Sequence, residues 1–220
     1  MSDWIQEGLK APLEKYSGYL TSRGVDSNSK VSFHSWSPVA SDCSRFNSMY
    51  GDTGYKIKEH LVIPITSPRG DIIGLELRQV LPDGEKRVSQ YRTLSAQWNP
   101  YFLGSPEAFS SLHEGGDLWI TEGVFDKVAL DRVVPTGDAV VCTLRAGMDQ
   151  LSIDMIHRYY KRSSTLYVCY DNDETGVKKS KWLHYEFEKR GMRSVIWKYR
   201  GKDPGDVFKE GGDQLLKRLF

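Results

Sequence analysis

Cysteine is scarce in this sequence, and the few cysteines are dispersed. They are Cys43, Cys142 and Cys169, and no two of them form a C-x-x-C pair. A disulfide framework needs an even set of cysteines, and a zinc ribbon needs closely spaced pairs of ligands. The pattern supports neither, so we expect no zinc in this chain.

Long apolar runs and a strong overall charge are also missing. No apolar stretch reaches the ~20 residues that span a bilayer, and the N-terminus lacks the pattern of a secretory leader. We therefore expect a cytoplasmic protein (host cytoplasm if viral) with no membrane partner. The formal net charge is only +1, and 39% of the 220 residues are hydrophobic, which is enough for one large or two small domains with a core.

The stretch from Leu166 to Gly176 is the most informative part of the sequence. Residues 166–170 form a short apolar run that is typical of a buried strand, and Asp171 and Asp173 follow where this strand should end. Gly176 then begins a polar segment with helical spacing, residues 177–190. Two carboxylates at the carboxyl end of a parallel strand can face one hard cation such as Mg²⁺. The alternative is an ordinary acidic turn.

Two further strand ends carry acidic residues. Residues 118–121 precede Glu122, and Asp126 lies one turn into the helix predicted after Gly123. The β-like run 194–199 precedes Asp203 and Asp206. Carboxylates that meet at one sheet edge repel each other unless a cation neutralises them. The three strand ends therefore predict a divalent-metal site.

Positive charge is concentrated locally after the second acidic pair. Between residues 178 and 202 nine basic residues face only Glu186 and Glu188. A basic surface beside an acidic metal cluster suits a polyanion that must reach the metal. The alternative is a solvated helix face.

The first half of the chain has different periodicity. Leu9, Leu13, Tyr16 and Leu20 predict a helix that ends near Gly24. Residues 27–47 are predicted to be mostly loop. A period of two then predicts antiparallel strands at 60–66, 72–78 and 87–94, with Pro64 at an edge or a bulge. Later in the chain we predict a strand at 139–144 and a helix at 148–160.

The acidic motifs resemble the TOPRIM domain, which is shared by bacterial-type DNA primases, topoisomerases and some nucleases. The resemblance covers roughly residues 115–210, and its Lys-Asp-Pro element is most similar to the primases. The motif positions in this sequence are Glu122, Gly123 and Asp126; Asp171, Asp173 and Gly176; and Lys202, Asp203, Pro204 and Asp206.

The region before Glu122 also resembles the bacterial-type primase catalytic core. The matching positions are Tyr19-Leu20, Arg23-Gly24, Pro64-Ile65, Gly74, Arg78, Gln90 to Thr93 and Phe102-Leu103-Gly104. Gln90 and Thr93 stand where the family has Lys and Asn, and Arg87, Arg92 and Asn99 are candidates to replace them.

The resemblance implies an α/β fold: a TOPRIM-like, mostly parallel sheet with flanking helices, preceded by a smaller α+β subdomain. We place the α+β primase subdomain at residues 1–112 and the catalytic TOPRIM subdomain at 113–220. The active site is expected in the cleft between them.

The implied activity is template-directed synthesis of short RNA primers on single-stranded DNA, from ribonucleoside triphosphates and with Mg²⁺ or Mn²⁺ (two or more ions possible). The expected catalytic residues are Glu122, Asp171 and Asp173, with Glu122 either a metal ligand or a general base. The expected metal ligands are Glu122, Asp126, Asp171, Asp173, Asp203 and Asp206. The expected nucleotide and template contacts are Arg78, Tyr91, Arg92, Lys178, Lys179, Lys181 and Lys202. A replicative helicase and a zinc-ribbon module, in cis or in trans, are the expected protein partners.

Two other classes of function remain open: phosphodiester cleavage, by a nuclease or a topoisomerase, and nucleic-acid binding without catalysis. A TOPRIM nuclease would cleave phosphodiesters with the same acidic cluster, but would not need the primase-like region before Glu122. A topoisomerase would need a tyrosine nucleophile on further domains, for which a chain of this length has no room. A replication factor that binds nucleic acid without catalysis would not need intact acidic motifs.

Overall fold

The computed structural model describes residues 13–27, 29–35, 60–80, 86–92 and 97–218. Within these ranges the chain forms two four-stranded sheets, one in each half. The strands of the first sheet are β1 (His34–Ser35), β2 (His60–Thr66), β3 (Ile72–Val80) and β4 (Lys86–Arg92), and those of the second are β5 (Leu118–Thr121), β6 (Ala139–Cys142), β7 (Leu166–Cys169) and β8 (Ser194–Ile196).

The first sheet is antiparallel, with its strands in sequence order. A tight turn at residues 67–71 joins β2 to β3, and Gly70 adopts a positive φ of 86° there. Strand β1 pairs only with Leu61 and Val62, so Pro64 lies beyond this pairing and close to a register shift at Ile65/Thr66. A proline has no N–H for a ladder hydrogen bond, which explains why it occupies this place, as predicted.

The second sheet is parallel, in the order β6–β5–β7–β8. Strands β5 and β6 are buried at every position rather than at every second one, because helices cover both faces of the sheet. The helices of the chain are α1 (Ser17–Ser22, after a 3₁₀ turn at Glu14–Tyr16), α2 (Ser105–Glu114), α3 (Val124–Asp131), α4 (Gln150–Tyr159), α5 (Glu174–Glu188) and α6 (Pro204–Lys217).

Each face of the parallel sheet has its own core. Helices α2, α4 and α5 cover one face, where Leu112, Ile153 and Phe187 are fully buried against the strands. Helices α3 and α6 cover the other face, and Val207 and Leu216 of α6 pack there against α3.

The two sheets are joined through helix α3. Leu61 and Ile63 of β2 share a buried cluster with Val124, Phe125 and Val128 of α3. Burying an aliphatic or aromatic side chain contributes roughly 1.5–3 kcal/mol. This shared core fixes the antiparallel sheet against the first turn of α3, and a cleft is left above it.

The predicted fold class is confirmed, with differences in the limits of individual elements. Strands predicted at 139–144 and 194–199 end earlier, at Cys142 and Ile196. After β6 the chain leaves the sheet, and Leu144 lines the cleft. The loop predicted at 27–47 contains the short strand β1, and residues 36–47 lie outside the described part, as does the start of the predicted N-terminal helix. Helix α6 was not predicted, since Gly211 and Gly212 interrupt its pattern, and Gly212 has a non-helical φ of 60°.

The predicted boundary between residues 112 and 113 falls inside helix α2, which packs on the parallel sheet, where Phe102, Ala108 and Leu112 join the core. The division at 112/113 therefore stays a prediction, and the packing favours an earlier boundary, before Phe102. Among the described residues, no helix combines the length and the apolar character needed to cross a membrane.

Candidate active site

Three strand ends of the parallel sheet bring their acidic residues to one edge. Glu122 directly follows β5, Asp171 lies two residues after β7, and Asp203 follows the loop after β8. Parallel strands place their carboxyl ends on the same side of a sheet. All three carboxylates line one cleft, as the sequence predicted from their spacing.

Two of the motif carboxylates begin helices. Asp173 caps α5 by accepting a hydrogen bond from Gly176 N at 2.7 Å, and Asp203 caps α6 by accepting one from Asp206 N at 2.7 Å. A carboxylate at a helix N-terminus satisfies a free N–H and interacts favourably with the helix dipole. Helix geometry thus holds Asp203 in the wall of the cleft and Asp173 near Glu122, whose pKa it raises.

Gly176 allows the chain to turn closely behind Asp171. A Cβ on Gly176 would lie 2.2 Å from the carbonyl oxygen of Asp171, closer than real Cβ contacts occur. Any side chain at this position would therefore displace Asp171 or the first turn of α5.

Asn172, between the two aspartates, holds the third acidic segment in place. Its side-chain amide donates to the carbonyl oxygens of Tyr199 (3.0 Å) and Gly201 (2.7 Å), and its main-chain N–H donates to Lys202 O (2.8 Å). The loop that carries Lys202 and Asp203 is thereby attached to the end of β7. Sequence reasoning did not identify this role, although an amide between two motif aspartates was a usable signal.

Asp126 is buried and holds two helix starts together. Its two carboxylate oxygens accept hydrogen bonds from Gly123 N and Gly205 N, each at 3.0 Å. Burial and the neighbouring carboxylate of Asp203 raise the pKa of Asp126 well above its usual range. Because both oxygens already accept main-chain hydrogen bonds, Asp126 is better suited to supporting the site than to binding a metal alone.

Glu122 experiences the negative charge of the whole cluster. Burial raises its pKa most, Asp171, Asp173 and Asp203 raise it further, to about 7, and Lys202 opposes the increase. Oxygen ligands crowded in this way suit a hard divalent cation, which would relieve their repulsion. Among the described residues, no three His, Cys, Asp or Glu side chains already form a complete metal cage. Mg²⁺ does not need one, since it binds through one or two carboxylates, waters and substrate phosphates.

The cleft has a volume of about 250 Å³ and lies between the two sheets. Glu76, Arg78 and Val88 line it from the antiparallel sheet, opposite the acidic edge of the parallel sheet. Its basic side chains are Arg23, Arg78, Arg145 and Lys202. Carboxylates and cations therefore face one space, which suits a polyphosphate held beside a metal.

Arg78 is buried in the wall of the cleft. Its Nε donates to Glu76 Oε1 at 2.5 Å, and its guanidinium lies 5.0 Å from the centre of the Phe125 ring. The pKa of Arg78 stays above its ordinary value because Glu76 outweighs the effect of burial. Its Nη1 is buried and has no hydrogen-bond partner in the described part of the chain.

Gln90 is used for internal contacts. Its amide donates to Leu144 O at 2.7 Å and to Glu76 Oε2 at 3.4 Å. Leu144 adopts a positive φ of 63°, a conformation that is unusual for a residue with a side chain. Gln90 thus links β4 to a strained turn at the edge of the cleft.

The remaining predicted residues lie at different distances from the cleft. Arg92 pairs with Gly74, roughly 13 Å along β3 from Arg78, and stacks on Tyr101 at 3.8 Å. Asp206 does not line the cleft, and its carboxylate accepts a hydrogen bond from Lys209 at 3.3 Å. Tyr91 is part of β4, but its side chain lies outside the described atoms. The three predicted lysines of α5 are exposed: Lys178, Lys179 and Lys181.

Comparison with known proteins agrees with this architecture. Residues 119–208 match the profile of the family described as Toprim-like. The chain is 28% identical over 163 residues to a DNA primase of Aquifex aeolicus and 26% identical over 165 residues to a DNA primase of Rickettsia typhi. Each alignment covers 73% of this chain but only 32% and 27% of the respective primases, so the matched part spans between a quarter and a third of their length.

Solved structures share the fold over nearly the whole chain. The crystal structure of the Aquifex aeolicus primase (zinc-binding and RNA polymerase domains) has a TM-score of 0.71 at 22% identity, covering 99% of this chain and 57% of that one. The DnaG primase catalytic domain bound to single-stranded DNA has a TM-score of 0.69 at 17% identity, covering 97% and 73%.

The fold and the acidic edge first indicate a class of protein, because residues 119–208 are similar to the Toprim-like family. The fold of the described residues is similar to that of the Aquifex aeolicus primase structure, which contains an RNA polymerase domain. The resemblance to the bacterial-type DNA primase catalytic core is therefore confirmed.

Proposed function

We propose that this chain is a primase core that synthesises short RNA primers on single-stranded DNA with a divalent metal. The carrying observation is the cleft between the two sheets, where Glu122, Asp171 and Asp203 face Arg78, Arg145 and Lys202. Phosphoryl transfer demands mainly positioning and charge neutralisation from a protein, and this cleft offers groups for both. The similar primases and the DNA-bound primase domain support the same activity.

The acidic edge would hold Mg²⁺ or Mn²⁺, and we assign the ligands to Asp171, Asp173, Glu122 and Asp203. A bound metal would neutralise charge on the triphosphate and on the attacking and leaving oxygens. We assign Asp126 to support of the two helix starts and Asp206 to an outer position, because of the hydrogen bonds that each makes.

Glu122 has a second possible role in the same cleft. With a pKa of about 7, it can be present in both protonation states near neutral pH. Such a group can accept the proton of the attacking 3′-hydroxyl, or it can bind metal once ionised. We propose that Arg78, Arg145 and Lys202 bind nucleotide phosphates, which carry the opposite charge.

The partners follow from the proposed reaction. The template would be single-stranded DNA and the substrates ribonucleoside triphosphates, in the cytoplasm where such DNA is copied. A replicative helicase and a zinc-ribbon module remain proposed partners, in cis or in trans.

One assay tests this function against its alternatives. The purified chain is incubated with single-stranded DNA, labelled ribonucleotides and Mg²⁺ or Mn²⁺, and the products are separated by size. We expect primers from the wild type and none from Glu122→Gln, whereas Glu114→Gln, an exposed acid at the end of α2, should behave as wild type. Shortened DNA would instead indicate a nuclease, and binding without either product would indicate a non-catalytic factor.

A further inference from the structure

Helix α5 presents two large aromatic side chains to solvent. Trp182 is 40% exposed and Tyr185 is 60% exposed, although the same helix buries Leu183 and Phe187 fully on its inner side. Exposed Trp and Tyr close together on one helix are unusual without a partner.

The aromatic residues lie in line with two lysines. At 100° per residue, Lys178, Trp182, Tyr185 and Lys189 fall within a narrow arc of the helix, and we call these four residues the α5 stripe. At 1.5 Å per residue the stripe is roughly 16 Å long. Lys181 lies beside it, one turn before Tyr185. Two neighbouring aromatic rings are therefore flanked by cations along one exposed line.

The acids near the α5 stripe are largely engaged elsewhere. Glu186 pairs with Arg190 at 2.7 Å, and Glu188 accepts a hydrogen bond from Ser194 N at 2.9 Å. Glu174 continues the line of the stripe toward the cleft, one turn before Lys178. In the described part of the chain, no lysine of the stripe takes part in an ion pair within 4.0 Å. The stripe is thus positively charged and open to a polyanion.

The α5 stripe begins near the cleft. Helix α5 starts at its N-cap Asp173, beside Asp171 of the cleft wall. Lys179 lies against Gly147, two residues after Arg145 of the same wall. A strand that leaves the cleft on this side would meet the stripe next.

We propose that the α5 stripe binds single-stranded nucleic acid, with bases stacked on Trp182 and Tyr185 and phosphates bound by Lys178 and Lys189. Surfaces that bind single strands combine stacking aromatics with a basic track, whereas lysine is depleted from the centres of protein–protein interfaces. The path of the strand, from the cleft to the helix, rests on the proposed primase function. Binding at the stripe itself requires neither metal nor catalysis.

The test measures binding of the whole chain to fluorescein-labelled (dT)20 by anisotropy, in EDTA and over a range of salt. Trp182→Ala/Tyr185→Ala should weaken binding at least tenfold, since stacking on one ring accounts for about 5- to 150-fold in affinity. The salt dependence of binding by this double variant should equal that of wild type, because the substitutions remove no cationic side chain. Trp98→Ala is the matched control, as Trp98 is 77% exposed but lies outside α5, and it should bind as wild type.

An abasic strand of the same length separates bases from phosphates. The double aromatic variant should bind this strand as well as wild type does. Lys178→Gln/Lys189→Gln should instead reduce the slope of log affinity against log salt by about 1.4, on both strands, at about 0.7 per phosphate contact. Two single variants test each ring separately. Trp182→Phe should keep most of the affinity for (dT)20, and the affinity of Tyr185→Ala should fall about fivefold.

Three results would overturn the proposal: unchanged affinity of the double aromatic variant for (dT)20, an equal loss on the abasic strand, or a loss of self-association in sedimentation in place of DNA binding. The proposed function is judged separately by primer synthesis. A wild type that binds (dT)20 through the stripe but makes no primers would contradict the function and leave the stripe intact.

Discussion

The main-chain N–H of Gly205 donates a 3.0 Å hydrogen bond to Oδ1 of Asp126, a residue 79 positions earlier in the chain. The other oxygen of Asp126 accepts from Gly123 N, also at 3.0 Å. One buried carboxylate thereby connects the start of α3 with the start of α6. Since α3 follows Glu122 and α6 follows Asp203, this connection sets the relative position of two strand ends of the site.

We predict that Asp126→Ala destabilises the protein even without metal. The substitution leaves two N–H groups without acceptors, and one unsatisfied buried donor costs roughly 1–3 kcal/mol. Relief of repulsion with Asp203 offsets part of this, so we expect a net loss of about 2 kcal/mol in urea unfolding with EDTA present. Asp206→Ala, at the outer position, should change stability by less than about 0.5 kcal/mol. If Asp126→Ala and wild type were equally stable in EDTA, the supporting role of Asp126 would be wrong, and only its role as a metal ligand would remain.

The sequence alone was sufficient to predict the strands and turns that are encoded by neighbouring residues. Each acidic strand end combined an apolar run, an acid and a glycine, and parallel topology made the convergence of Glu122, Asp171 and Asp203 predictable. The antiparallel strands were predictable from their period of two and from turns such as residues 67–71.

Contacts between distant residues were not predictable in this way. Asn172 holds Tyr199 and Gly201, and Gln90 holds Leu144, across gaps that no local pattern encodes. The separate roles of Asp126 and Asp206 were also hidden, because both are motif acids and only their hydrogen-bond partners distinguish them.

We predict that Asn172→Ala impairs the site by loosening the loop that carries Lys202 and Asp203. The loss of two amide donors frees the carbonyls of Tyr199 and Gly201, so hydrogen exchange at residues 199–203 should become faster. Primer synthesis should fall about tenfold, while the melting temperature changes little because the loop is at the surface.

Asn172→Asp provides a sharper comparison, since it keeps the shape but cannot donate to either carbonyl. It should reproduce the faster exchange of Asn172→Ala. Normal exchange in both variants, together with lost activity, would mean that Asn172 contacts substrate instead of positioning the loop.

We predict that the metal-free protein loses stability as pH rises from about 5 to 8. The pKa of Glu122 is raised to about 7 in the folded protein, compared with about 4.3 in an unfolded chain. The folded state therefore binds the proton more tightly, and this stabilisation is present below pH ~4 and is lost as pH passes through 7. Thermal melting in EDTA at several pH values measures the effect.

Two comparisons identify the source of this pH dependence. Glu122→Gln should flatten it, because the titrating group is gone. Mg²⁺ should raise the melting temperature more at pH 8 than at pH 5, since ions bind the deprotonated cluster. If melting temperature varied with pH in the same way in Glu122→Gln and wild type, the pH dependence would come from other titratable groups.

We predict that Gly176→Ala is strongly destabilising and abolishes activity. The added Cβ would lie 2.2 Å from Asp171 O, so either Asp171 or the first turn of α5 must move, and overpacking of this kind costs roughly 1–3 kcal/mol. Gly18→Ala is the matched control, because Gly18 lies in α1 with no atom within 4 Å of the added Cβ. It should stabilise the protein by about 0.5–1 kcal/mol, since alanine favours a helix over glycine. Urea unfolding of both variants measures these changes, and primer synthesis measures whether Asp171 keeps its place. A Gly176→Ala variant with wild-type stability and activity would show that the close approach of α5 to Asp171 is not needed for the site.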